Sequence, residues 1–275
     1  MEPVHPEFVP DASLDRAEME ALQREIAERA TFEDDFDFDP GLVCADRESE
    51  QQGLGAADGG DGDGPADDSD AEVPVVVGVD QAFLDDDRAV SALVAFQGGE
   101  VIERAHAVVP TDIPYIPGLL SFREGGAILA GFRELAVEPD LVFFDGSGHI
   151  HYREAGLATH VGVLFDVPSV GVAKNLLCGQ PAASTDGLAE GDRVAVEADG
   201  EVTAPDGTVI GYAAQSRQYD SSNRTINPLL VSPGHRVSAE TAADLTLSCA
   251  AGYKLPEPTR LADRYADDVK TEFGD

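Results

Sequence analysis

The chain has 275 residues, 43% of them hydrophobic, with 53 acidic against 18 basic side chains and a formal net charge of -35. That is enough apolar material for a large buried core, while the charge argues against ordinary phosphate binding through lysine and arginine. No run of 18 apolar residues and no basic-then-apolar leader occurs, so neither a membrane span nor secretion is expected, and a cytoplasmic location is.

Residues 46–72 hold ten acids and one arginine, a net -9, which still leaves -26 on the rest of the chain. Acidity spread this widely, with lysine only at Lys174, Lys254 and Lys270, reads as a surface suited to molar salt. A DNA mimic that occupies a DNA-binding partner is the alternative. Cys44, Cys178 and Cys249 are odd in number, far apart and without metal-ligand spacing, and are expected to be reduced thiols.

Met1 to Pro10 is proline-rich and expected to be loose. Asp11 or Ser13 is the expected cap of a helix running to about Ala30, because Leu14, Met19, Leu22, Ile26 and Ala30 recur at near-helical spacing. Segment 1–45 is therefore expected to pack on the core through that helix. Segment 46–72, almost without apolar residues, is expected to be a disordered insertion, and 73–275 the main domain. The aspartates of 46–72 lack the glutamate and flanking helices of a calcium loop.

Val75 to Asp80 (VVVGVD) has the pattern of a buried strand ending in a carboxylate. Ala89 to Phe96 and Glu100 to Val109 read as strands joined through Gln97, Gly98 and Gly99, so the three make an antiparallel meander. Gly118 to Ala136 has helical periodicity, and Leu120, Glu124, Ile128 and Leu135 near one stripe turn Glu124 inward. A helix rolled slightly would let Glu124 reach solvent instead.

Leu141 to Arg153, LVFFDGSGHIHYR, delivers Asp145 from an apolar run to a turn of small residues followed by two histidines. Taken alone, a strand-to-loop turn with a capping aspartate is the plainer reading. A helix near Ala155 to Leu164 and a strand from Ser169 to Ala173, ending at Lys174, then imply a right-handed parallel crossover. Residues 180–208 read as a surface excursion. Val209 to Ala213 and Leu229 to Val231 add strands, Ser238 to Ala251 a helix, and GYKLPEPTRLADRYADD a turn into a last helix.

Asp80 and Asp145 at strand ends and Glu124 on an inward helix face are hard oxygen donors, a set that suits Mg²⁺ or Mn²⁺ and phosphoryl chemistry. An antiparallel meander followed by parallel strands, with acids at strand ends, is the layout of an α/β ribonuclease H-like mixed sheet flanked by helices. Such a fold alone does not give function.

Six blocks in order resemble endonuclease V: VGVDQAF (Val77 to Phe83), PYIPGLLSFRE (Pro114 to Glu124), LVFFDGSGHIHYR, VPSVGVAK (Val167 to Lys174), GHRVS (Gly234 to Ser238) and GYKLPEPTR (Gly252 to Arg260). The helix before the acidic insertion is similar to that family's N-terminal helix. The resemblance implies a ribonuclease H-like, Mg²⁺-dependent nuclease of DNA repair, with Mn²⁺ able to substitute. It further implies recognition of deaminated bases, above all hypoxanthine in deoxyinosine, and a nick at the second phosphodiester bond 3′ to the lesion.

By motif position the resemblance assigns metal binding to Asp80, Glu124 and Asp145, with the metal activating water for in-line attack. His151 would lie beside that centre, Lys174 would stabilise phosphate charge, and His235 would orient a water or second metal. A structural role is the plain alternative for both histidines. Tyr115, stiffened by Pro114 and Pro117 on either side of Tyr115 and Ile116, would be the wedge that fills the gap left by an extruded base, unless PYIP is merely a packed turn. Backbone groups near Gly118 and around Gly146 and Gly148 would read that base. Ser147 stands where the family commonly has His, and Tyr152 where it has Pro. Cleavage of inosine-containing RNA and an acidic binding protein without activity are the alternatives; the intact acids and Lys174 weigh against the second. A monomer is expected.

Overall fold

The computed structural model describes residues 1–44, 72–84, 88–111, 113–219 and 225–274. Helix α1 (Arg16–Arg29) starts later than expected, because Asp15 rather than Asp11 or Ser13 is its cap. The Asp15 carboxylate accepts from Glu18 N–H, and Glu18 accepts from Asp15 N–H in return. Ile26 of α1 enters the main core. Except for Glu72, the acidic segment 46–72 lies outside the described residues.

Strands β1 (Val76–Leu84), β2 (Arg88–Gln97) and β3 (Glu100–Pro110) form the antiparallel meander, turning between β2 and β3 at Gly98 and Gly99, both at positive φ. After helix α2 (Leu120–Glu134), strand β4 (Leu141–Asp145) joins β1 in parallel. Helix α3 (Leu157–Phe165) then crosses to β5 (Ser169–Ala173), parallel to β4.

Two strands come from the segment read as a surface excursion: β6 (Gln180–Pro181) and β7 (Arg193–Glu197). Only Val196 of β7 is fully buried, so an edge strand that hides one residue leaves little hydrophobic pattern. Strands β8 (Val209–Ala214) and β9 (Leu229–His235) complete the sheet. Its order among the described residues is β3-β2-β1-β4-β5-β9-β8-β7-β6. β9 continues through Pro233 and Gly234 because its register against β5 slips there, the irregularity at which proline is tolerated in a strand.

Alternate residues of the central strands face opposite layers. Val77, Val79, Val142 and Phe144 pack with α1, α2 and α3, whereas Val76, Leu141 and Phe143 lie on the face covered by α4 (Ala239–Ser248) and α5 (Glu257–Phe273). Gly78 shares this second face, and a Cβ there would collide with the carbonyl of Pro258 at the start of α5. Glycine is thus what lets α5 sit directly on β1.

The expectation of three reduced thiols is corrected: Cys44 and Cys249 form a disulfide, with Cα atoms 5.3 Å apart, and Cys178 is free and buried. The two meet because the segment after α1 folds back along 236–249. Thr31 and Asp35 exchange backbone hydrogen bonds with Arg236, and Asp34 accepts from Ser238 and Thr241. Spacing in the sequence carries no record of that approach. Among the described residues, no helix is long and apolar enough to cross a membrane.

Candidate active site

Strand register decides where the acids stand. Val79 of β1 pairs with Phe144 of β4, so Asp80 and Asp145 follow side by side on adjacent parallel strands and point to one face. Asp145 in turn pairs with Val172 of β5, two residues before Lys174, whose Nζ lies 2.9 Å from Asp145 Oδ2. Glu124, in the second turn of α2, is turned inward as expected and is 7% exposed; Asp80 is 8% exposed.

A fourth carboxylate, Asp263 of α5, completes the group and was missed in the sequence. The GYKLPEPTR block stops at Arg260, three residues short of it. The available signal was the helix that block opens: once Gly78 admits Pro258 against β1, the following turns of α5 carry Asp263 toward Asp80.

Burial and neighbouring charge raise the proton affinity of two of these carboxylates, Asp80 and Glu124. Burial, then the charges of Asp145 and Asp263, push Asp80 up to about 7. Burial, then Asp80 and Asp145, push Glu124 up to about 8. Burial opposes the charge on Lys174, but its hydrogen bond to Asp145 and the charges of Asp145, Asp80 and Asp263 lift it above the ordinary lysine range. An acidic cluster this short of positive charge is chemically suited to a hard divalent cation. Among the described residues the acids are not arranged as a finished ligand cage, and the Lys174 ammonium lies against Asp145. The donor set fits such a cation; its closure would require these side chains to shift.

Beside Asp145 and Lys174 opens a cavity of about 380 Å³, also lined by Tyr115, Gly118, Gly146, Ser147 and His151. Tyr115 is 64% exposed at its mouth, flanked by exposed Pro114, half-buried Ile116 and exposed Pro117. Gly118, at φ +79°, ends that loop. Ser121 Oγ, in the wall, is buried and has no hydrogen-bond partner among the described residues.

Two of the glycines expected to offer backbone groups have their N–H groups engaged within the fold. Gly146 N–H is bonded to the carbonyls of Phe144 and Val172, and Gly148 N–H to Ser232 Oγ. A Cβ on Gly148 would clash with the Pro233 carbonyl, and one on Gly146 would crowd the Leu157 side chain, so their smallness serves close packing.

The histidines are both committed. His151 is 3% exposed, and its Nδ1 accepts from Arg153 N–H at 3.2 Å, which leaves Nε2–H to donate to the Gly118 carbonyl at 3.0 Å. Burial, aided by Arg153, lowers it to about 4, so it is neutral and shapes the wall. His235 is not brought to the acids. It pairs with Ser169 at the start of β5, whereas Lys174 follows its end. There His235 Nδ1 accepts from Thr31 N–H at 3.1 Å and Nε2–H donates to Asp166 at 3.0 Å.

Residues 65–264 match the family described as Endonuclease V. The chain belongs to the endonuclease V family. It is 61% identical over 272 residues to endonuclease V of Haloarcula marismortui, covering 98% of this chain and 97% of that one. Against the endonuclease V of Natronomonas pharaonis it is 56% identical over 275 residues, all of both chains. Both relatives are from halophilic archaea, in keeping with the charge of -35. Among solved structures, endonuclease V from Streptomyces avermitilis is 28% identical with a TM-score of 0.71 over 94% of each chain. The catalytic domain of human endonuclease V is 28% identical with a TM-score of 0.71, over 93% of this chain and 96% of that one. The sheet is accordingly ribonuclease H-like, and the chain is an endonuclease V nuclease, a hydrolase of phosphodiester bonds.

Proposed function

We propose that this endonuclease V recognises deaminated bases in DNA, deoxyinosine above all, and nicks the second phosphodiester bond 3′ to the lesion. The observation that carries the reading is the juxtaposition of the acidic cluster and Lys174 with a cavity whose mouth holds an exposed tyrosine. Support also comes from an endonuclease V of Ciona intestinalis solved with a DNA 24mer containing an inosine.

Asp80, Glu124, Asp145 and Asp263 would hold Mg²⁺, with Mn²⁺ able to substitute. Such an ion, when bound, polarises the phosphate and lowers the pKa of a coordinated water. Lys174 is the cation that the chain itself supplies, placed to meet charge developing on the phosphate. Tyr115 is positioned to fill the stack when a base leaves it, and the cavity of about 380 Å³ to receive that base. His151 keeps the cavity wall in place as a neutral hydrogen-bond bridge. At molar salt the Debye length is about 3 Å, so base capture and metal coordination carry more of the affinity than long-range attraction does.

The test is nicking of a deoxyinosine duplex at high KCl with Mg²⁺ or Mn²⁺, wild type against Asp145→Ala. Cleavage by the wild type alone supports the reading. Equal cleavage by both, or none by either, overturns it. A matched inosine RNA in the same assay decides between DNA and RNA.

A further inference from the structure

The N-terminal helix reaches further into the site than packing requires. Gln23 of α1 is 1% exposed and lines the same cavity as Tyr115 and His151. Its Nε2 donates to the carbonyl of Gly118 at 2.9 Å and to that of Ala155 at 3.3 Å, while its Oε1 accepts from Arg153 Nε at 2.7 Å. The Gly118 carbonyl also accepts from Arg153 Nη2 at 3.1 Å and from His151 Nε2. One turn earlier on α1, Glu20 Oε1 lies 3.8 Å from Arg153 Nη1.

Three segments distant in sequence therefore meet at one amide: α1, the end of the loop that presents Tyr115, and the turn 151–155 after β4. The fit at Gly118 is tight, since a Cβ there would lie 3.1 Å from the Tyr152 ring and 3.2 Å from Arg153 Nη2. Both N–H groups and the oxygen of Gln23 are engaged, so its side chain has no donor left with which to read a base. A buried amide so committed fixes the groups it joins, because each would otherwise be left without a partner.

We propose that Gln23 is a positioning residue of the base cavity. It ties the Tyr115 loop to the 151–155 turn and so sets the width of the opening through which a base would enter. The inference rests on the proposed function for its activity readout only; the tie itself can be read without substrate.

The chain contains no tryptophan, so Tyr115→Trp places a single reporter on the loop. Its fluorescence anisotropy is measured with Gln23 intact, with Gln23→Glu, which keeps the shape and the acceptor but loses the donors, and with Arg153→Lys, which cuts the tie from the other side. Both substitutions are expected to lower the anisotropy while far-UV circular dichroism is unchanged. On the Tyr115 background, both are expected to reduce kcat/KM on deoxyinosine DNA roughly 10- to 100-fold, the scale of a small misplacement.

Unchanged anisotropy together with activity within about twofold in both variants would reduce Gln23 to packing and overturn the proposal. If Gln23→Glu does not fold, Arg153→Lys decides by the same two readouts. Lower anisotropy in a protein whose wild type does not nick deoxyinosine would leave the tie standing and remove the proposed function instead.

Discussion

The two ends of the central sheet treat buried polar groups in opposite ways. Where β4 finishes beside the middle of β1, Asp80, Glu124, Asp145 and Asp263 gather with the Lys174 ammonium against Asp145, and two of the acids bind protons at about 7 and about 8. At the start of β5, His235 lies between Thr31 N–H and Asp166, and Arg236 donates to Asp35 and Asp166. Burying an unpaired carboxylate is costly, so the first arrangement is retained only for what it binds. The second is what a fold does with polar groups it merely has to bury.

Asp263 is the sharpest way to break this contrast, because it belongs to the charged end by position alone. Asp263→Asn removes one charge from the cluster and is expected to lower nicking by about 10²-fold or more, with a circular dichroism spectrum like that of the wild type. Wild-type rates at saturating Mg²⁺ would show that α5 merely borders the site.

The same end predicts how stability follows pH. Asp80 and Glu124 bind protons more tightly in the folded chain than carboxylates ordinarily do, so the stability they contribute is present at low pH and is lost as pH rises toward about 8. In chelator, the thermal midpoint should therefore fall between about pH 5 and pH 8, by an amount worth several kcal/mol of differential protonation. Glu124→Gln should flatten the fall, and Mg²⁺ or Mn²⁺, by binding the folded state, should oppose it. A midpoint independent of both pH and metal would mean that the charged end is not under electrostatic stress.

Much of this end was legible in the sequence because its parts are local. Asp80, Asp145 and Lys174 sit at or just beyond the ends of short apolar runs, Glu124 falls on a helical stripe, and the meander is announced by Gln97, Gly98 and Gly99. Asp263 was not legible, since its place follows from a backbone contact between Gly78 and Pro258 across 180 residues. His235 was misplaced because a motif shows that a residue lies on β9 but not which end of β5 it reaches; the antiparallel register settles that. The second strand pair, β6 and β7, hides too few residues to leave a pattern, and the Cys44 to Cys249 bond joins positions 205 residues apart.

That bond gives a smaller effect at the quiet side of the molecule. Without reductant, the denatured chain should titrate one thiol, Cys178, whose thiol is pushed up to about 12 by burial in the native state and so is unreactive there. Cys44→Ser should cost about 2–4 kcal/mol of stability and leave nicking at moderate temperature unchanged. Three titratable thiols would return the chain to the reduced state that its cysteine spacing suggests.

The smallest effect on activity is expected at His235, and it is the one that separates the two ends most directly. Burial holds its pKa below the ordinary histidine range despite Asp166, so it is neutral at pH 7 and its two nitrogens serve as one acceptor and one donor. His235→Ala leaves Thr31 N–H and the Asp166 carboxylate without that partner, which should cost about 1–3 kcal/mol, seen as a lower thermal midpoint. Below that midpoint, kcat/KM should stay within about threefold of wild type, because His235 stands at the start of β5, away from the end beside Asp145 and Lys174, and does not line the cavity. A loss of about 10²-fold with an unchanged midpoint would be the opposite signature, that of a group acting on the reaction itself. It would mean that the satisfied end of the sheet also takes part in catalysis, and that hydrogen-bond saturation does not distinguish architecture from chemistry in this fold.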